Sequence, residues 1–102
     1  MNTTTHVITR NGEKYLAQLC KHFGHKIEVE QTETQAIFHF GAGQATVRIT
    51  DRGLELGAQA STAAGLEKVQ SILGSHLERF SFRENLVVTW PGQDMTRNTE
   101  TA

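Results

Sequence analysis

Apolar positions along the chain follow two periods, and the points where one gives way to the other mark out its elements. From Glu13 the apolar residues are Tyr15, Leu16, Leu19, Cys20 and Phe23, at i, i+1, i+4, i+5 and i+8, which places them on one stripe of a helix. Asn11 or Thr9 can cap its start, and Gly24 is placed as a left-handed stop. From Lys26 the period falls to two. Ile27 and Val29 alternate with Glu28 and Glu30, then Ala36, Phe38 and Phe40 with Ile37 and His39. Ala45, Val47 and Ile49 alternate with Thr46, Arg48 and Thr50, and Leu54, Leu56, Ala58 and Ala60 continue the pattern. Each run reads as a strand with one wet face, and the short connections make an antiparallel meander. Asp51-Arg52-Gly53 reads as a tight hairpin in which Gly53 takes the positive φ.

The helical period then returns. Leu66, Val69, Ile72, Leu73, Leu77 and Phe80 form the stripe of a second, longer helix capped by Ser61 or Thr62, weakened at Gly65 and Gly74. A short strand at Thr5–Thr9 precedes the first helix, and Leu86–Trp90 reads as a last strand ended by Pro91-Gly92. The predicted order is β-α-β-β-β-β-α-β. It describes a single α+β domain over residues 5–90, with a mostly antiparallel sheet of about six strands and two helices on one face. That order resembles one half of the TATA-binding protein with an extra strand, an analogy of fold that carries no function. Residues 1–4 are expected to be a loose end and residues 91–102 a disordered polar tail.

Composition narrows the class without naming a function. A chain of 102 residues can bury a core of its own without disulfides or a structural metal. Its 10 Lys+Arg and 11 Asp+Glu nearly cancel and form no runs, so neither nucleic acid nor a membrane surface is an expected partner. One cysteine makes no internal disulfide, which fits a reducing cytoplasm. The N-terminus has no basic start followed by an apolar stretch, and no apolar run is long enough to span a bilayer.

Candidate chemistry gathers in two segments, Cys20-Lys21-His22-Phe23-Gly24-His25-Lys26 and His76-Leu77-Glu78-Arg79-Phe80-Ser81-Phe82-Arg83-Glu84. Three readings compete. Cys20, His22 and His25 offer thiolate and imidazole donors for a metal or haem, but Cys20 and His22 stand about 160° apart around a helix axis. The bland reading makes Cys20 a small buried hydrophobe, and His22, His25, Lys26, His76 and Arg79 cations that favour helix C-termini. His76 falls inside the apolar stripe and would then need a partner such as Glu78 or Glu84. In the third reading His22, His25, His76, Arg79 and Arg83 bind a small anionic or chelating ligand, which guanidinium forks suit. A hydrolytic or redox enzyme using Cys20 is disfavoured, because the thiol is expected to be buried and no Asp is placed to orient a base. Counting strand directions puts the C-terminal ends of the two helices at opposite ends of the sheet. On that count His22 and His76 form one site only if the helices cross steeply.

Tyr15-Leu16, Leu19-Cys20, His22-Phe23, His25-Lys26, His76-Leu77-Glu78-Arg79-Phe80, Phe82-Arg83-Glu84 and Val88-Thr89-Trp90 together resemble the bacterial domain-of-unknown-function family 2218 over roughly residues 5–90. The resemblance implies a stand-alone domain of this size, sometimes fused to siderophore-interacting flavoproteins, and so an association with iron acquisition. It assigns no role to Cys20, His22, His25, His76 or Arg79 beyond membership of the motifs. The expectation is a small cytoplasmic, non-enzymatic accessory or binding domain, with a siderophore-interacting flavoprotein or an anionic chelating ligand as partner. Self-association into a homodimer through an open sheet face carrying Ile37 and Val87 is a further expectation.

Overall fold

The alternating runs bury what they were expected to bury. In the computed structural model, which describes residues 1–91, Ala36, Phe38, Ala45, Val47, Leu54, Leu56 and Ala58 are all buried and point at the helices. They come from β3 (Gln35–Phe40), β4 (Gly43–Ile49) and β5 (Gly53–Gln59), with β1 (Asn2–Ile8) and β2 (Glu28–Gln31) at the two edges. The sheet is antiparallel throughout, in the order β1-β5-β4-β3-β2. Tyr15, Leu16, Leu19, Cys20 and Phe23 of α1 (Gly12–Phe23) and Val69, Leu73 and Leu77 of α2 (Ala63–Phe80) close the core from one side. Thr62 caps α2, its hydroxyl accepting from the Gly65 N–H at 3.0 Å. Asn11 occupies the cap position of α1 without a side-chain cap bond.

Five strands form the sheet, one fewer than the sequence pattern predicts. Leu86–Trp90 does alternate, with Val87 exposed, Val88 half-buried and Trp90 buried, but it joins no ladder. Its backbone groups go to side chains: Val88 N–H donates to Glu78 at 2.8 Å, and Thr89 C=O accepts from the Thr5 hydroxyl at 2.6 Å. Val88 and the Trp90 ring pack over Gly74 of α2. Period two thus reported extended backbone, not pairing, and Val87 does not lie on a sheet face.

Other differences are local. The strand expected from Thr5 begins at Asn2, and Met1 exchanges backbone bonds with Ala60, so residues 1–4 are paired and not a loose end. Gly24 is right-handed, at φ −60°, with its N–H on the Cys20 carbonyl; a Cβ there would lie 2.7 Å from that oxygen. Gly53 sits within β5, where a Cβ would meet the Val7 carbonyl oxygen at 2.1 Å, so glycine is required by the approach of β1 and not by a positive φ. The tail expected beyond Pro91 lies outside the described residues.

The topology also sets where the helices end. The chain leaves β1 at one edge and must reach β2 at the other, four spacings of about 4.8 Å away. That is roughly the 18 Å length of α1, so α1 has to cross the sheet, over β4, β3 and β2. α2 lies over β4 and β5, and the alternating strand senses make it antiparallel to α1, with His22 meeting His76 and Tyr15 meeting Glu84.

Candidate functional site

That antiparallel contact overturns the separation expected of the two histidine segments. α2 is half as long again as α1, so His76 is not at the end of its helix but on a turn level with the end of α1. The His22 and His76 rings are 4.9 Å apart, His76 and Phe23 4.8 Å, and His22 and Phe80 5.7 Å. Phe23 links this cluster to the core through Phe38 at 5.5 Å and Phe40 at 5.1 Å. Both imidazoles are half-buried. His76 donates from Nδ1 to the Ile72 carbonyl at 2.7 Å, so neither Glu78 nor Glu84 serves as its partner. That bond leaves the other ring nitrogen of neutral His76 uncommitted to the backbone.

Beside the cluster lies a groove of about 500 Å³ lined by Gln18, Lys21, His22, His25, Lys26 and Phe80. Its electrostatics are one-signed. Burial holds the His22 pKa below its ordinary value, and the positive fields of His76, Lys26, Arg79 and His25 push it the same way. Among the described residues no carboxylate pairs with Lys21, His25, Lys26 or Arg79. The buried amide oxygen of Gln18 has no hydrogen-bond partner. Arg83 stands apart, its guanidinium 5.6 Å above the exposed Phe82 ring. Cys20 is buried in the core, where desolvation raises its thiol pKa. Cys20, His22 and His25 do not gather donor atoms close enough to share one ion.

A second constellation was invisible in the sequence. The Glu84 carboxylate accepts from the Tyr15 hydroxyl, from Thr9 Oγ1 at 2.9 Å and from Asn11 Nδ2 at 2.7 Å. These bonds, led by that from Tyr15, hold the Glu84 pKa below the usual carboxylate value, while burial first and Glu84 second raise that of Tyr15. Glu84 sits in a turn just after α2, its N–H donating to the Ser81 carbonyl at 2.9 Å, and Asn85, at φ 54°, then redirects the chain through the left-handed region that Asn tolerates. A surface groove that includes Arg10, Lys14 and Arg52 lies alongside, but the carboxylate is fully engaged in tying the α2 turn to the start of α1. No signal in the sequence connects Glu84 with Thr9, Asn11 and Tyr15, because only the antiparallel helix contact brings them together.

An antiparallel five-stranded sheet under two crossed helices, with two histidine motifs meeting between them, defines a small α+β domain of one bacterial class. Residues 4–91 match the model of a family described as an uncharacterized protein conserved in bacteria (DUF2218), and the chain belongs to that family. It is similar to the NMR structure of PA4090 from Pseudomonas aeruginosa, with a TM-score of 0.76 and 28% identity over 89% of this chain and 95% of that one. No curated protein matches the sequence. Among the described residues, no helix is long and apolar enough to cross a membrane.

Proposed function

We propose that this chain is a non-enzymatic accessory domain of bacterial iron or siderophore handling that binds a small anionic, chelating ligand in the groove of His22, His25, Lys21, Lys26 and Phe80. One observation carries the reading. The groove collects Lys21, Lys26, exposed His25 and half-buried His22, which no carboxylate offsets among the described residues, beside the Phe80 ring, which can take a flat ligand. Burial first and the neighbouring positive fields second depress His22; an anion there would offset the second, and a ligand donor would satisfy Gln18. Arg79 acts through its field, and Arg83 is outside the groove. A neutral, buried Cys20 thiol offers no nucleophile, which favours binding over catalysis. A siderophore-interacting flavoprotein is the partner this role implies.

Calorimetry of the native chain against dihydroxybenzoate, its ferric complex and citrate tests the proposal. It predicts binding of the aromatic anions tighter than about 1 mM, weakened at least about tenfold in His22→Ala and Lys26→Ala. Absence of binding at that level, or equal binding by both variants and the native chain, contradicts it.

A further inference from the structure

The opposite face of the sheet carries a different arrangement. Glu28 and Glu30 are two apart on β2 and so point to the same side, away from the helices, while Val29 between them packs toward the core. Glu28 is directly opposite His39 on β3, and Glu30 is its diagonal neighbour. One donor atom from each of the three lies within 4.8 Å of the other two, and His39 Nε2 is 2.5 Å from Glu30 Oε2. The groups that flank them on this face across β3 and β4 are Ile37, Thr46 and Gln44, none of which is charged. Two carboxylates therefore share one imidazole as their only cationisable neighbour in register. A simple cross-strand ion pair would account for Glu30 and His39, but it leaves Glu28 against a like charge.

We infer that Glu28, Glu30 and His39 form a surface site for a divalent transition-metal ion. Two carboxylate oxygens and an imidazole nitrogen suit zinc, cobalt or nickel better than magnesium or calcium, which prefer oxygen alone. The ion would take the place of the proton between His39 Nε2 and Glu30; the neutral ring would bind it through Nε2 and carry its proton on Nδ1 instead. The ladder between β2 and β3 fixes the backbone of all three residues on adjacent strands, so only their side chains remain to be ordered on binding. Because β2 is an edge strand and both glutamates are exposed, the remaining coordination positions face water. The site is independent of the helix-face groove, from which the sheet separates it.

Titration of the full chain with zinc, followed by calorimetry and by the histidine ring signals in NMR, tests the inference. Glu28→Gln is the cleanest variant, because none of the hydrogen bonds among the described residues involves the Glu28 side chain. One equivalent of zinc is expected to bind and to perturb the His39 ring, with affinity falling at least about tenfold in Glu28→Gln and in His39→Ala. Cobalt should show the same dependence in its absorption spectrum. His22→Ala should leave zinc binding unchanged. Binding that survives Glu28→Gln, binding lost in His22→Ala, or no binding tighter than about 1 mM would each overturn the assignment.

Discussion

Single residues in this domain divide into those that secure the fold and those left with unspent charge. Cys20 belongs to the first group, and a thiol reagent should modify it in the native chain only on the timescale of unfolding; rapid labelling before denaturant is added would show that it is not buried. Glu84 also belongs there. Glu84→Ala leaves the buried Thr9 and Tyr15 hydroxyls without their acceptor and is expected to cost about 1–3 kcal/mol in urea unfolding. Because its folded pKa lies below the ordinary 4.5, Glu84 stabilises the fold above that value and loses the contribution as pH falls through the folded pKa. His22 has the opposite chemistry but the same sign. Its folded pKa lies below 6.5, so the unfolded chain binds more protons and stability falls as pH drops below 6.5. His22→Gln should flatten that part of the dependence of the urea midpoint on pH.

At the scale of elements, the extended segment after α2 tests how much a stretch without ladder bonds contributes. Trp90→Ala removes a ring that is 2% exposed and is expected to destabilise the fold by about 3–5 kcal/mol, measured by thermal or urea unfolding. A change under about 1 kcal/mol would show that Leu86–Trp90 is only draped on α2. The same segment shows what a periodic pattern can reveal. Alternation located the meander and both helices to within a few residues, because one-sided burial leaves period two or 3.6 in the sequence whatever the partner. It could not distinguish a strand from an extended stretch packed on a helix, since both bury every second side chain. Nor could it find strand β1 before Thr5, where the residues are polar and the ladder to β5 is made by backbone alone. The glycines misled for a related reason. Gly53 stands where β1 comes too close for a Cβ, an approach in space that leaves no local signature, and Gly24 where the Cys20 carbonyl of its own last turn does.

On the scale of the whole molecule, connectivity decided the site. With β1 and β2 at opposite edges, α1 has to traverse the sheet, and the longer α2 passes it antiparallel with its fourth turn beside His22. Counting strand directions captured the antiparallel sense but not this offset, so of the groove's lining only His22 and His25 stood among the sequence candidates, and the meeting of His22 with His76 could not be read there. The same crossing lays Glu84 against Tyr15, so the lock at one end of the helix pair and the histidines at the other depend on a single packing arrangement. The helix face thereby acquires a cationic groove, and the open sheet face keeps its carboxylates.

The meeting of the two imidazoles can be measured directly by following the His22 ring in NMR as pH is varied, in the native chain and in His76→Ala. The His22 midpoint is expected below 6.5 in the native chain and is expected to move upward when the His76 ring is removed. A His22 midpoint at the ordinary value, unmoved by the substitution, would mean that the helices do not bring these two rings together.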